Sequence, residues 1–361
     1  MWGKRDDTVV HDESPFNAEP TRSALGRSAL TAIDTFYARN HGPIPDIAAR
    51  DWRLKVTGLV GQELNLTFDT LTSRFIPCSV VATLQCAGNR RIGFTEVREI
   101  PGEDPWGPCA TSTAEWRGVR LRDVLDAAGA HTGDGLHVAF TAPDVSSLAS
   151  PTQPYGSSIP VAKARSGEVL LAWEMNSEPL PRVHGGPVRV VVPGYIGARS
   201  VKWVTGITVQ SQPSNNYFQA TAYRILPPDA DPDTAGPGDG ISLSSVALNC
   251  DILTPEPGTV VPAGPLTVAG YAFAGDDRSV ARVDVSLDDG TTWQQAHLEP
   301  ELSPWSWRRW SLTVNTEPGP LTVAARAWDS TGALQPESAA ALWNPKGYAN
   351  NSWPRLHVDV D

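Results

Sequence analysis

The sequence contains few cysteines, and their spacing excludes several common kinds of bound group. The 361 residues include four cysteines, Cys78, Cys86, Cys109 and Cys250. No two of them form a C-x-x-C pair, no spacing of a zinc module is present, and there is no C-x-x-C-H motif for haem attachment. The sequence therefore predicts neither a structural zinc site nor a haem in this chain.

Long hydrophobic runs are also missing. The longest strongly apolar run, Val188 to Val192, is too short to span a bilayer. The opening residues, Met1 to Asp7, lack the apolar centre of a signal peptide. We therefore expect a soluble, cytoplasmic protein with no membrane partner, or a periplasmic one if a signal peptide has been removed from this sequence.

An excess of positive charge is absent as well. The chain has 29 lysines and arginines against 40 aspartates and glutamates, which gives a formal net charge of −11. Binding to a polyanion depends on many cations, so this balance disfavours a nucleic acid partner. A local basic pocket can still bind one small anion in an acidic protein.

The composition that is present favours a β-rich protein with two cores. Hydrophobic residues make up 40% of the chain, which is enough for packed interiors, and 361 residues exceed the usual size of one domain. The 32 prolines and 31 glycines are typical of many turns and short strands. We predict an α+β fold in which β-structure predominates.

Residue periodicity predicts the elements of the first domain. Apolar residues at spacings of three to four predict a short helix between Leu25 and Phe36, and a second helix over Val119 to Ala128 that ends at Gly129. Short alternating strands are predicted between Leu54 and Leu66, followed by a brief helix over Thr67 to Leu71. Two continuously apolar segments, Val169 to Trp173 and Val188 to Val192, are typical of strands buried on both faces.

A segment rich in proline, aspartate and glycine, Pro227 to Gly240, predicts a boundary between two domains. We place the first domain at residues 1–244 and the second at 245–361. Short strands recur in the second domain, and Asp289-Gly290 is a hairpin signal. An immunoglobulin-like β-sandwich fits this pattern best. Its predicted strands are Leu266 to Ala269, Val280 to Leu287, Trp310 to Val314 and Leu321 to Trp328.

The segment from Leu84 to Arg91 (LQCAGNRR) is the strongest chemical signal. Cys86 follows a β-branched run at a predicted strand end and precedes a glycine, an amide and two guanidinium groups. A thiolate binds soft metals or acts as a nucleophile, and adjacent cations lower the pKa of a thiol. Cys86 is therefore the predicted centre of the chemistry.

Glycine-rich segments with cations predict an anion site elsewhere in the chain. His184 to Arg189 (HGGPVR) combines closely approachable backbone with two charged donors, and Gly197 to Trp203 (GARSVKW) follows. Neither segment matches the Walker or dinucleotide motif. A phosphate-bearing cofactor is the predicted ligand.

Each residue has an ordinary structural explanation when it is considered alone. A lone buried cysteine often behaves as a small apolar residue, and paired surface arginines contribute little. His184 and Tyr223 could likewise be hydrogen-bonded packing residues. Only the occurrence of all these groups in one chain favours a functional site.

Several segments, in this order, resemble the sulfite oxidase family of molybdenum enzymes. The resemblance runs from about Thr35 to Lys202 and continues more weakly through Trp305 to Trp310 and Leu342 to Gly347. It implies a molybdopterin-binding domain followed by an immunoglobulin-like dimerisation domain. The segments are LQCAGNRR, FYARNHGPIP, WRGVRLRDVL, YGSSIP and LPRVHGGPVRVVVPGYIGARSVKW.

The resemblance implies a molybdenum–molybdopterin cofactor and the residues that would hold it. Cys86 would be the protein ligand to molybdenum. Amide, imidazole and guanidinium groups suit a pterin edge and its phosphate. The residues that would hold the cofactor are Tyr37, Ala38, Arg39, Asn40, His41, Cys86, Asp144, His184, Arg189, Ser200, Val201 and Lys202.

A substrate pocket is implied in the same way. It would consist of Arg39, Arg91, Trp106, Tyr223 and, from the second domain, Lys346. Its cations would recruit a small oxyanion, and the implied reaction is oxidation of sulfite to sulfate. The segment containing Tyr223 would supply a hydroxyl that assists proton movement.

The family also includes nitrate reductases, so membership alone does not settle the substrate. Tyr223 and the cation Lys346 resemble the sulfite oxidases, which have tyrosine and arginine there, rather than the asparagine and methionine of nitrate reductases. Reduction of nitrate or another small oxyanion is the alternative activity. A noncatalytic interaction protein that uses its sandwich is the third hypothesis.

The sequence also departs from the family pattern. The haem-bearing N-terminal domain of some members is absent, so the expected partner is an external electron acceptor such as a cytochrome c or another small carrier. Gly186 and Gly107 replace larger residues of the family pattern, an aromatic residue and an arginine, which would widen or neutralise the neighbourhood of the substrate. The resemblance further implies a homodimer.

Overall fold

The structure is a computed structural model that describes residues 1–361, and strands account for most of its regular structure. The strands of the first two thirds of the chain are β1 (Val9–Glu13), β2 (Phe16–Glu19), β3 (Arg53–Gly58), β4 (Leu64–Thr67), β5 (Pro77–Gln85), β6 (Thr111–Arg120), β7 (His137–Ser146), β8 (Gln153–Pro160), β9 (Leu170–Met175), β10 (Glu178–Pro179), β11 (Arg189–Val191), β12 (Gly206–Gln210), β13 (Arg224–Ile225) and β14 (Ile241–Ser242).

The remaining strands lie in the last third of the chain, and the α-helices are all short. These strands are β15 (Asn249–Thr254), β16 (Val260–Val261), β17 (Gly264–Phe273), β18 (Val280–Ser286), β19 (Gln294–Gln295), β20 (His297–Leu298), β21 (Arg308–Thr316), β22 (Gly319–Asp329) and β23 (Arg355–Val360). The helices are α1 (Arg22–Leu25), α2 (Phe68–Arg74), α3 (Ile92–Thr95), α4 (Leu121–Ala127) and α5 (Val161–Ala164). No helix has the length and apolar character that crossing a membrane requires.

Two five-stranded sheets form the frame of the first part of the chain. One has the order β10-β9-β6-β5, with β11 also paired to β9, and all of its strands are antiparallel. The other has the order β4-β3-β12-β7-β8, in which only β12 and β3 run parallel. The two segments predicted to be buried on both faces become β9 and β11, and every residue of β11 is buried. The β-rich fold class is confirmed.

The last third of the chain is a β-sandwich. A four-stranded sheet (β15-β17-β21-β20) and a five-stranded sheet (β16-β23-β22-β18-β19) contribute inward-facing residues to one apolar core. Val268 of β17 and Val283 of β18 have no exposed surface in this core. All four strands predicted for this region are present, and each lies within or overlaps an observed strand. The division at residue 245 stays a prediction, although β13 and β14 pair to close the Pro227–Gly240 segment into a loop.

The two helices predicted over Thr67–Leu71 and Val119–Ala128 are confirmed as α2 and α4. Thr67 caps α2, since its hydroxyl accepts a hydrogen bond from the amide of Thr70 at 3.0 Å. Gly129 follows α4 with a φ of +62°, a left-handed conformation that glycine adopts without steric cost. Strand β6 extends to Arg120, so α4 begins later than predicted.

The helix predicted between Leu25 and Phe36 is wrong. Helix α1 ends at Leu25, and the following residues form turns. Their backbone groups bind distant partners instead: the amide of Thr31 donates to the carbonyl of Thr113 at 2.7 Å, and the carbonyls of Ile33 and Phe36 accept from Nζ of Lys4. Tertiary hydrogen bonds therefore override the helical spacing of this segment.

The two halves of the chain share a buried ion cluster. Asp251 of β15 is 2% exposed, and its carboxylate contacts Arg22 of α1 at 2.6 Å and Arg90 at 2.7 Å. Removing one partner of a buried ion pair leaves an uncompensated charge, which costs several kcal/mol. Asp251 therefore links the segment after Cys86 to the sandwich.

We expect Asp251→Asn to lower the free energy of unfolding by about 3 kcal/mol, because Arg22 and Arg90 would lose their shared counter-charge. Urea denaturation followed by tryptophan fluorescence measures this change. The matched control is Asp277→Asn, on an exposed side chain with no ion pair, which should change stability by less than about 0.5 kcal/mol. Equal stabilities for the two variants would contradict the structural role of Asp251.

Candidate active site

Cys86 lies directly after β5, as predicted, and its surroundings are fixed by backbone hydrogen bonds. Its amide donates to the carbonyl of Ala110 at 2.8 Å, and its carbonyl accepts from the amide of Asn89 at 3.0 Å. The amide of Gly88 donates to Sγ at 3.4 Å. Burial raises the pKa of the Cys86 thiol, while Arg39 and Arg91 oppose that shift. A soft metal that binds Sγ would therefore displace a proton.

A side chain at position 88, in the turn after Cys86, would displace the guanidinium of Arg91. A Cβ atom there would lie 2.8 Å from Nη2 of Arg91, closer than real side-chain contacts. Arg90 adopts a φ of +65°, which sends its guanidinium toward the sandwich and that of Arg91 in a different direction. The two adjacent arginines consequently have different partners.

A cavity opens at Cys86. Its walls come from the segment after β2, the end of β5, strands β7, β8 and β11, and the two glycine-rich segments found in the sequence. The lining residues are Phe36, Tyr37, Arg39, Asn40, His41, Leu84, Cys86, Ala87, Asp144, Tyr155, His184, Arg189, Gly197, Ala198, Ser200, Lys202, Trp203 and Tyr223. Most of the residues predicted to hold a cofactor therefore line one space.

Two predicted cofactor residues contribute backbone structure rather than exposed side chains. Ala38 is 1% exposed, and its amide and carbonyl pair with Ala18. Val201 is also 1% exposed, and its carbonyl accepts a hydrogen bond from the amide of Val190. Neither side chain lines the cavity, so any contact of these residues with a ligand would be through the main chain.

Two buried cations that line the cavity, Arg189 and Lys202, have no ion pair. Arg189 is 3% exposed, and it donates only to carbonyls, those of His184 at 2.8 Å, Ser200 at 3.0 Å and Val190 at 3.3 Å. Lys202 donates to Oδ1 of Asn40 at 2.6 Å. Burial lowers the pKa of Arg189 to about 10 and lowers that of Lys202 well below its usual value. A buried cation without a counter-charge is costly, so this end of the cavity is suited to an anion.

Lys4 lies behind the cavity wall, and no sequence pattern pointed to it. Its Nζ lies 2.7 Å from Nε2 of His184 and donates to two backbone carbonyls. Burial lowers its pKa to about 7, although Asp34 raises it in part. The N-terminal segment thus brings a lysine to His184, a lining residue, across a separation of 180 residues, which only tertiary structure reveals.

An unpartnered polar atom also lies in the cavity wall. Oδ1 of Asp144, a lining residue, is buried without a hydrogen-bond partner. Burial raises the pKa of Asp144 to about 7, opposed by a backbone hydrogen bond and by Lys202. Such atoms normally have partners in native proteins, so their presence indicates room for a polar ligand.

A second space, which we call the entry funnel, adjoins the cavity. Arg39, His41 and Tyr223 line both spaces. The hydroxyl of Tyr223 lies 2.6 Å from Nε2 of His41, and both side chains are buried. Burial raises the pKa of Tyr223 and lowers that of His41 well below its usual value. The pair is therefore an uncharged phenol and imidazole at the junction.

Arg91 and Lys346 approach each other at the funnel from the two parts of the chain. Nε of Arg91 donates to the carbonyl of Lys346 at 3.1 Å, and its guanidinium lies 5.3 Å from the ring centre of Tyr348. Nζ of Lys346 lies 3.7 Å from Oε1 of Glu103. Of the five predicted pocket residues, Arg39, Tyr223 and Lys346 line the entry funnel, and the buried Arg91 lies behind it in contact with Lys346 and Glu103.

Trp106 is the fifth predicted pocket residue. It has no exposed surface, its ring lies 4.5 Å from that of His11, and it lines neither the cavity nor the entry funnel. Gly186 and Gly107 leave no open space for a side chain. A Cβ at Gly186 would lie 2.1 Å from the carbonyl oxygen of Leu180, and one at Gly107 would lie 3.2 Å from the carboxylate of Glu19. At both glycines, neighbouring residues occupy the space that a larger side chain would need.

Cys86 has no companion ligands from the protein. No group of three or more histidine, cysteine, aspartate and glutamate side chains in the structure could hold a metal ion. A metal bound at Cys86 would thus take most of its ligands from a small molecule. A soft sulfur-containing cofactor satisfies that requirement.

Comparison with known proteins agrees with this geometry. Residues 41–218 match the family described as the oxidoreductase molybdopterin binding domain, and residues 242–361 match the Mo-co oxidoreductase dimerisation domain. Mitochondrial sulfite oxidase from Mus musculus is 42% identical over 97% of this chain. The chain spans 65% of the length of that relative.

Two further proteins resemble the chain. Nitrate reductase from Hordeum vulgare is 37% identical over 99% of this chain and 43% of its own length. The crystal structure of the sulfane dehydrogenase SoxCD from Paracoccus pantotrophus superimposes with a TM-score of 0.81 at 27% identity, covering 96% of this chain and 85% of that one.

The shifted pKa of Asp144 predicts how stability depends on pH when no cofactor is bound. The folded value of about 7 lies above the value of about 3.9 in an unfolded chain. The unfolded state therefore loses its proton first, and the free energy of unfolding falls as the pH rises from about 4 to about 7.

We expect Asp144→Asn to be more stable than the wild type at pH 8, by on the order of 3 kcal/mol, and equally stable near pH 4. Urea denaturation of the cofactor-free protein at both pH values measures the difference. The exposed residue Asp134 provides the control variant Asp134→Asn, which should show no such pH-dependent gain. A gain of the same size at both pH values would argue against titration of Asp144.

Proposed function

The chain belongs to the sulfite oxidase family of molybdopterin oxidoreductases, and on that premise we propose that it oxidises sulfite to sulfate and passes the electrons to a separate acceptor. One observation carries the choice of substrate: Tyr223, rather than an amide residue, stands beside Arg39 where the cavity meets the entry funnel. In the resemblance described above, tyrosine at this position distinguishes the sulfite oxidases from the nitrate reductases.

The residues of the cavity suit molybdopterin. Sγ of Cys86 would bind the molybdenum. The unpaired cations Arg189 and Lys202 would neutralise the phosphate, and the orphaned Oδ1 of Asp144 would accept a hydrogen bond from the pterin. When bound, the cofactor would supply the two-electron redox couple and the oxygen atom that converts sulfite to sulfate.

The protein's own groups bind and orient the anion. The guanidinium of Arg39 lies at the junction of the two spaces. Burial lowers its pKa, but nearby acidic groups raise it more, so its pKa lies above the usual value. It therefore stays charged and can donate to a substrate oxygen. Because Tyr223 stays protonated, its hydroxyl can donate a hydrogen bond either to His41 or to the substrate. When the substrate leaves, Nε2 of His41 can accept the hydrogen bond again and keep the hydroxyl oriented.

The proposed partners follow from the fold and the family. We propose a homodimer formed through the sandwich, since residues 242–361 match a dimerisation domain and isologous pairing is the common form of a symmetric dimer. The proposed acceptor is a cytochrome c or another small electron carrier. The residues proposed to form the substrate pocket are Arg39, Arg91, Trp106, Tyr223 and Lys346. Trp106 is fully buried, so it would support the pocket without contacting the substrate directly.

A single preparation tests the proposed function. We expect stoichiometric molybdenum, rapid reduction of ferricyanide with sulfite, and much slower oxidation of a reduced dye with nitrate. In Cys86→Ser, molybdenum and sulfite activity should both fall to a few per cent of the wild type or less, since an alcohol replaces the soft ligand. Cys78→Ser, on a half-buried cysteine at the start of β5 and so at the opposite end of the strand from Cys86, should keep both. Stoichiometric metal with no sulfite turnover would refute the proposal.

Tyr223→Phe tests the role of the hydroxyl. We expect kcat for sulfite to fall by about 10²-fold with molybdenum content unchanged, because the ring packing remains while the proton donor is lost. Steady-state kinetics with metal analysis measures both quantities. Tyr195→Phe removes a hydroxyl from a buried tyrosine outside the cavity and should leave kcat unchanged. A normal kcat in Tyr223→Phe would exclude the proposed proton role.

A further inference from the structure

The entry funnel contains a carboxylate where an oxyanion would be expected to bind. Oε2 of Glu103 lies 3.1 Å from Nη2 of Arg91, and Oε1 lies 3.7 Å from Nζ of Lys346. These are two of the cations that the proposed function assigns to recruiting the substrate. One side chain thus occupies both of them, from the two parts of the chain at once.

The neighbouring acidic groups of the funnel do not act in the same way. Asp104 contacts Arg91 through its backbone carbonyl, which accepts from Nη1 at 2.8 Å. Burial raises the pKa of its carboxyl, and contact with Asp12 raises it further although Arg39 lowers it. Neither Asp12 nor Asp104 forms an ion pair with Lys346 or Arg91 through its carboxylate. Glu103 is therefore the group that compensates the charges of Arg91 and Lys346.

Glu103 is placed so that it can leave. It belongs to the irregular segment between α3 and β6, and its own amide and carbonyl make no hydrogen bond within the chain. Its side chain is 20% exposed and lies on the wall of the funnel. Rotation of this side chain into solvent would break its two ion pairs without disturbing a strand or a helix.

The contrast with the cofactor cavity supports a specific role. The lining residues Arg189 and Lys202 form no ion pair with a carboxylate, as suits a site for a permanently bound anion. Arg91 and Lys346 share one, as a site that is vacated in every catalytic cycle would need. A resident counter-charge prevents the empty funnel from carrying two uncompensated cations.

We propose that Glu103 is a displaceable counter-anion that sets the affinity of the entry funnel for oxyanions. This inference rests on the proposed function, because it assumes that Arg91 and Lys346 receive the substrate. An oxyanion that enters the funnel replaces the carboxylate between the two cations, and Glu103 turns toward solvent. The carboxylate competes with the substrate, so it weakens binding and favours anions with enough charge to displace it.

A purely structural ion pair predicts the opposite result. If Glu103 mainly held Arg91 and Lys346 in place, its loss would misplace both cations and weaken oxyanion binding. If it competes with the substrate, its neutralisation strengthens oxyanion binding. The direction of the change in affinity therefore separates the two roles.

The test compares the molybdenum-loaded wild type, Glu103→Gln and Glu99→Gln. Glu99 is an exposed residue nearby in the chain with no ion pair, so its variant makes the same change in net charge. We expect KM for sulfite in Glu103→Gln to fall by threefold to tenfold, where tenfold equals about 1.4 kcal/mol. Rates are expressed per molybdenum, and KM should be unchanged in Glu99→Gln.

Calorimetric titration with sulfate gives a readout that does not depend on turnover. We expect the dissociation constant for sulfate to fall by a similar factor in Glu103→Gln alone. An unchanged or raised KM and dissociation constant in this variant would overturn the inference. Failure of the wild type to oxidise sulfite would instead refute the proposed function, and the sulfate titration would still decide whether Glu103 competes with an oxyanion.

Discussion

The site depends on how the end of β5 is held. This strand pairs with β6 on one side, and its backbone also contacts the sandwich: the amide of Thr83 donates to the carbonyl of Trp305 at 2.9 Å, and the amide of Trp307 donates to Oγ1 of Thr83 at 2.8 Å. Asp251 then fixes Arg90 beyond the turn. Because both parts of the chain bind the few residues around Cys86, the thiol has one position relative to the cavity.

The same contacts explain why the second domain matters to chemistry in the first. Lys346 lies in the segment between β22 and β23. It reaches the entry funnel because this segment packs against Arg91, whose Nε donates to the carbonyl of Lys346. Tyr348 stacks on Tyr223 with ring centres 5.4 Å apart. The sandwich therefore contributes a cation and an aromatic wall to the site, besides any role in pairing two copies of the chain.

Charge is distributed in two distinct ways within this acidic protein. The cavity concentrates cations that lack counter-charges, so an anionic ligand would relieve the cost of burying them. The entry funnel pairs its cations with Glu103, so the empty site is already neutralised. A net charge of −11 conveys neither arrangement, because burial and local partners, rather than the total, decide what a pocket attracts.

The sequence by itself determined the β-rich fold, the helices α2 and α4, the strand end that presents Cys86 and the glycine-rich segments of the cavity, because these depend on local periodicity and backbone conformation. It did not determine the fate of residues 25–36, the arrival of Lys4 beside His184, the pairing of Tyr223 with His41 or the carboxylate between Arg91 and Lys346. Those features join residues far apart in the chain, so they are decided by packing and by shared hydrogen bonds. Local patterns carry no record of such partners, and only the tertiary structure reveals them.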